Sequence, residues 1–120
     1  MCGFCGFIDL NKQKNNNSSE IIRGMNNAIC HRGPDDEGYF SDNEHQLFLG
    51  HRRLSILDLS KSGSQPFFSQ SGRMIIVFNG EIYNYQEIKK EIKGIDWKST
   101  SDTEVLLESI EQLGIKKTLE

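Results

Sequence analysis

The sequence predicts a single domain that mixes helices with strands and turns often. Three observations carry this. At 120 residues the chain fits one domain with a modest core. Its hydrophobic fraction is only 36%, and 11 glycines break it into short elements. Apolar residues recur at helical spacing in some stretches and run continuously in others.

The elements follow in order. GFCGFIDL (residues 3–10) reads as a short strand whose glycines mark a close approach by another backbone or a ligand. NKQKNNNSS is a polar loop, and the spacing from Asn17 to Glu20 can open a helix as a capping pair. That helix would carry Ile21, Ile22, Met25, Ala28 and Ile29 on one side and stop before Gly33-Pro34. HRGPDDEG (residues 31–38) is loop chemistry, with Pro34 removing a main-chain donor.

LFLGHRRLSILDL reads as a strand, a break and further extended chain, and KSGSQP as a turn. RMIIVFNG is the best buried-strand candidate, ending on the turn pair Asn79-Gly80. A second helix is predicted over roughly residues 84–93, with Tyr85, Ile88 and Ile92 on one face and Gly94 as its stop. Ser101-Asp102-Thr103-Glu104 is a capping box that opens a third helix. Leu106, Ile110 and Leu113 form its stripe, and Gly114 ends it. The strands needed to complete a layered sheet do not follow, so a truncated domain of low stability is expected.

A net charge of −3 argues against nucleic acid or an acidic membrane surface as the main partner, and His51-Arg52-Arg53 is too short to track phosphates. The longest clean apolar run, residues 74–78, could not span a bilayer, and the first residues lack the basic region of a secretory signal. Three cysteines, an odd count, make no disulfide framework. A cytoplasmic protein with reduced thiols is the expectation.

Cys2, directly behind the start methionine, is an unusual place for a structural thiol. A zinc site would draw on Cys2, Cys5, Cys30 and His31, but adjacent residues such as Cys30 and His31 rarely reach one tetrahedral ion. A thioredoxin-like C-x-x-C belongs at a helix N-terminus, whereas residues 7–10 read as strand. The competing chemistry starts with loss of Met1. Cys2 would then carry a free α-amine of pKa about 7.7–8.0 beside its own thiol. Nucleophile and general base would sit in one residue. Asn79 and Gly80 can supply the oxyanion donors such a site needs, although an Asn-Gly pair is more often a plain turn.

MCGFCGF, HRGPDDEG, GHRRLSILDL, GSQPF, FNGEIYNY and SDTEVLL, in this order, resemble the class II glutamine amidotransferase domain of glutamine-hydrolysing asparagine synthetases. The resemblance covers residues 1–113. It implies that Cys2 attacks the side-chain amide of L-glutamine to form a thioester, with Asn79 and Gly80 as the oxyanion pair. It implies further that Arg53 holds the substrate's α-carboxylate and Asp102 its ammonium. Glu81 and the segment Leu54, Ser55, Ile56 and Leu57 would wrap the ligand, mainly through main chain. His31, Arg32 and Asp35 receive no definite task; Tyr83 and Tyr85 are expected to pack, and Cys5 and Cys30 to be small core residues.

The implied architecture is α+β, the N-terminal nucleophile hydrolase fold. This is a four-layer α-β-β-α sandwich, of which residues 2–120 would be the earlier portion. The implied activity is hydrolysis of L-glutamine to supply ammonia for ATP-dependent conversion of aspartate to asparagine. Two alternatives stand beside it: the same glutaminase serving another acceptor, such as a sugar acid, or a non-catalytic domain that keeps the fold. No cofactor or metal is expected in this stretch; ATP and Mg would belong to a C-terminal synthetase domain of the same chain. A homodimer of the full protein stays open, and neither nucleic acid nor membrane is an expected partner.

Overall fold

The computed structural model describes residues 2–10, 17–55 and 63–120. It mixes helix and sheet, as an α+β chain does. Strand β1 (Gly3–Ile8) and strand β2 (Asp36–Asp42) both pair antiparallel with β3 (Leu47–Arg53), giving the order β1-β3-β2. The register sets Gly3 opposite Arg52 and Asp36 opposite Arg53. As the central strand, β3 has both edges hydrogen-bonded and carries buried Phe48, Gly50, His51 and Arg53.

Helix α1 (Ser18–Ala28) packs across β3 and β1. Its buried residues are Ser18, Ile22 and Asn26, one row spaced by four. The helical period was legible and the face in part: Ile22 is buried and Met25 and Ile29 are half-buried, but Ile21 and Ala28 point outward. A polar stitch fixes the row. Asn26 Nδ2 donates to the His51 carbonyl at 3.4 Å, and the Asn26 carbonyl accepts from Arg52 Nε at 3.0 Å. Asn17 stands at the N-cap, yet its side chain makes no cap hydrogen bond. On the sheet, Phe7 and Phe48 stack with centroids 4.9 Å apart.

Three sequence expectations shift. Residues 31–38 are not all loop: Cys30–Arg32 is a 3-10 turn, and β2 already begins at Asp36 because β3 offers it an open edge. Strand β3 runs unbroken through Gly50, since pairing on both sides outweighs the glycine's weak strand preference. The run at residues 74–78 is only half-buried. Within it, β5 (Ile75–Ile76) pairs with the two-residue β4 (Phe67–Phe68) and with no other described strand.

Helix α2 (Tyr85–Glu91) ends before the predicted point, with Ile92 already extended and buried, while Gly94 takes φ +74°. Helix α3 (Asp102–Leu113) lies against α2, β4 and β5, with every residue from 102 to 109 buried. Its stop is Gly114 at φ +83°, a left-handed backbone that glycine adopts without penalty. A short α4 (Ile115–Leu119), not foreseen in the sequence, follows.

The capping box at 101–104 is half formed. Ser101 Oγ accepts from the Thr103 N–H at 3.1 Å. Glu104, 2% exposed, turns away from Ser101 and accepts from Lys98 N at 2.9 Å, Ser99 N at 2.8 Å and Ser99 Oγ at 2.7 Å. It organises the approach to α3 rather than the cap itself. No helix among the described residues is long and apolar enough to cross a membrane.

Candidate active site

Both halves of the molecule converge on one cavity of about 430 Å³. Its wall includes Cys2 from the start of β1, Arg53 and Leu54 from the end of β3, Asn79, Gly80 and Glu81 beyond β5, and Asp102 at the start of α3. Elements far apart in sequence thus deliver a thiol, a guanidinium, two carboxylates and an Asn-Gly turn to the same space. The volume falls in the range of small-molecule sites.

Cys2 is partly buried. Its Sγ accepts from the Leu54 main-chain N–H at 3.3 Å and lies 3.6 Å from the Leu54 carbonyl. The thiol is therefore tied to the strand that carries Arg53, which is buried at 8% exposure. Asp102 is equally buried, and its Oδ2 accepts from the Ile82 N–H at 2.8 Å. Asn79, Gly80 and Glu81 are exposed at the cavity's edge. Of the residues predicted for ligand contact, Ser55 is described but does not line the cavity, and Ile56 and Leu57 lie outside the described residues.

The loop left without a task acquires one. Asp35 Oδ2 accepts from the Ser55 N–H at 2.8 Å, and the Asp35 N–H donates to the Arg53 carbonyl at 3.0 Å. Gly33 is pressed against the same strand: a Cβ there would stand 2.5 Å from Arg52 C and Arg53 N. Asp36 adds a contact from Ser64 Oγ at 2.5 Å. The HRGPDDEG stretch thereby buttresses the chain that emerges from β3. Cys30, expected in the core, is exposed, because the 3-10 turn carries it past the end of α1. Cys5 is half-buried, and burial raises its pKa, partly offset by Arg52.

Sequence reading also missed seven cavity residues, among them Tyr83, expected to pack but 90% exposed, and the buried His51 and Gln65. His51 is 1% exposed, and neither ring nitrogen has a hydrogen-bond partner among the described residues. Burial pushes its pKa below the ordinary histidine range; the nearby Phe78 main chain opposes this without reaching hydrogen-bond geometry. Gln65, also buried, accepts from the Phe78 N–H at 2.6 Å. A lone His and a Gln inside a turn carry no spacing signal; only the register of β3 and the closure onto residues 78–80 reveal them. Among the described residues no group of three or more His, Cys, Asp or Glu side chains comes together in metal-binding geometry.

A thiol, a buried cation and a buried anion around one small cavity suit an enzyme that handles a zwitterionic amide. The chain belongs to the glutamine amidotransferase domain family, which matches it over residues 1–120. More narrowly, it is similar to the asparagine synthetases [glutamine-hydrolyzing]. It is 43% identical over 116 residues to number 2 of Bacillus subtilis (strain 168), covering 96% of this chain and 15% of that protein. It is 47% identical over 110 residues to number 1 of the same organism, covering 89% and 17%. To the putative asparagine synthetase 2 of Methanocaldococcus jannaschii it is 42% identical over 130 residues, covering 95% and 24%. The chain thus spans between about a seventh and a quarter of the length of these relatives.

Proposed function

We propose that this chain is the front of the glutaminase domain of a glutamine-hydrolysing asparagine synthetase. The observation that carries this reading is the convergence of Cys2, Arg53, Asn79, Gly80 and Asp102 on one cavity. In this reading Met1 is removed and Cys2 becomes the terminal residue. Its α-amine takes the thiol proton, and the sulfur attacks the side-chain carbonyl carbon of L-glutamine. The resulting oxyanion is held by the Asn79 amide and the Gly80 N–H.

Collapse of that intermediate breaks the C–N bond. The ammonium of Cys2 returns its proton to the leaving nitrogen, and ammonia departs from a γ-glutamyl thioester. Water then cleaves the thioester, releasing glutamate and the thiol. Arg53 takes the α-carboxylate and Asp102 the α-ammonium, with Leu54 and Glu81 beside the ligand, while Ser55, Ile56 and Leu57 are assigned to it by the resemblance alone. The two buried charges recognise both ends of a free amino acid, which a peptide-embedded glutamine lacks.

The finer expectations belong to the same reading: a four-layer N-terminal nucleophile sandwich completed by chain beyond residue 120, and a cytoplasmic setting that keeps the thiols reduced. A synthetase domain would use ATP and Mg to activate aspartate and receive the ammonia. The test is a glutamine-mimicking diazo-ketone applied to the full-length protein, with the adduct mapped by mass spectrometry. Labelling at Cys2 with Met1 absent, and loss of ammonia release on alkylation, is the expected result. Labelling at Cys5 or Cys30, or undiminished activity of Cys2→Ala, overturns the mechanism.

A further inference from the structure

Residues 77–80 carry the Asn79-Gly80 pair but belong to no strand, since β5 ends at Ile76. Oxyanion donors work only if they are already aimed, so something other than a ladder must fix this stretch. Two side chains bracket it. Upstream, Gln65 Oε1 accepts from the Phe78 N–H at 2.6 Å; downstream, Asp102 Oδ2 accepts from the Ile82 N–H at 2.8 Å. The other end of the Gln65 amide, Nε2, donates to Thr103 Oγ1 at 3.4 Å. Both brackets therefore lead to the first turn of α3, at neighbouring residues.

Gln65 is well placed to act as a rigid spacer. It is buried, and its amide uses its acceptor and one donor in opposite directions, so a flip would break both contacts. Its main chain is backed by β2, where a side chain on Gly38 would overlap the Gln65 carbonyl.

We propose that Gln65 is a positioning residue that sets the oxyanion donors at Asn79 and Gly80 and couples them to the Asp102–Thr103 end of the site. The inference rests on the glutaminase reading above. Gln65 acts on the reaction through residues 78–80, so its removal lowers turnover while substrate capture by Arg53 and Asp102 persists.

The test is a double-mutant cycle on the full-length protein, read as glutaminase kinetics. Gln65→Met is expected to lower kcat roughly 10- to 100-fold with KM for glutamine within about threefold, since one oxyanion donor is worth up to about 10²–10³. In an Asn79→Ala background the same substitution is expected to lower kcat by at least about threefold less than it does in wild type, because one of the two donors it aims is already gone and only the Gly80 N–H is left to misplace. Equal losses in both backgrounds, or an effect on KM alone, overturn the inference and mark Gln65 as a direct ligand contact or a general packing residue. Should Gln65→Met fail to fold, Thr103→Val takes its place in the cycle. It frees the far end of the amide and is expected to lower kcat about three- to tenfold, with the same dependence on Asn79. An active wild type with an undiminished Gln65→Met sinks this inference alone. No ammonia release by wild type, or full release by Cys2→Ala, sinks the glutaminase reading and this inference with it.

Discussion

Asp102 Oδ2 accepts a hydrogen bond of 2.8 Å from the main-chain N–H of Ile82, three residues beyond Asn79. In the proposed glutaminase the same carboxylate takes the substrate's ammonium and holds the turn that follows Asn79 and Gly80. Charge and hydrogen-bond acceptance can be separated by substitution. Asp102→Asn keeps an acceptor for Ile82 but loses the charge; it should raise KM for glutamine roughly 10- to 100-fold, the equivalent of one charge-assisted hydrogen bond, with kcat nearly retained. Asp102→Ala also releases Ile82, and kcat should fall further. Steady-state kinetics of the pair distinguish the two roles; equal kcat in both would remove the link to the turn.

His51 makes stability depend on pH. Its folded-state pKa lies below the ordinary value of 6.5, so the unfolded chain binds a proton more readily than the folded one. The sign follows: this contribution is intact above about pH 6.5, and stability falls as pH drops below it, until the buried imidazole itself protonates. His51→Leu removes the titration and two buried nitrogens that have no partner among the described residues. Melting curves between pH 5 and 8 (~3 units spanning the histidine range) should be flatter for the variant than for wild type.

Two glycines should respond oppositely to alanine. At Gly33 the new methyl meets main-chain atoms of Arg52 and Arg53 at 2.5 Å, which cannot yield as a side chain would. Gly33→Ala should destabilise by about 1–3 kcal/mol or more and weaken glutamine binding through Arg53. At Gly24, inside α1, nothing among the described residues beyond the helix's own backbone lies within 4 Å of the added atom. Gly24→Ala should therefore stabilise by about 0.5–1 kcal/mol. Urea unfolding of both variants measures the contrast, and a stable Gly33→Ala would show that β3 can shift.

Glu104 accepts three hydrogen bonds from Lys98 and Ser99 while almost wholly buried. Glu104→Ala leaves two main-chain N–H groups and a hydroxyl without their acceptor, and should cost about 3 kcal/mol or more. Glu104→Gln keeps one acceptor oxygen and should cost less. Thermal unfolding of the two variants orders them; equal stability would mean water replaces the carboxylate.

What could be read directly from the chain was what depends on near neighbours. Ser101 caps α3, Gly94 and Gly114 take left-handed backbone, and β1 starts at Gly3, because caps and turns are set within a few residues. The motifs also marked Cys2, Arg53, Asn79, Gly80, Glu81 and Asp102, all of which line the cavity. Three further matters were decided only by the folded chain: which row of α1 is buried, where Glu104 points, and what Asp35 holds. So too were the links from Gln65 to Phe78 and Thr103, which join residues 13 and 38 positions apart. Periodicity fixes a helix but not its rotation against a partner, and a polar side chain finds its acceptor only after the strands have paired. Local spacing therefore supplied the chemical groups, and chain closure brought them to one cavity.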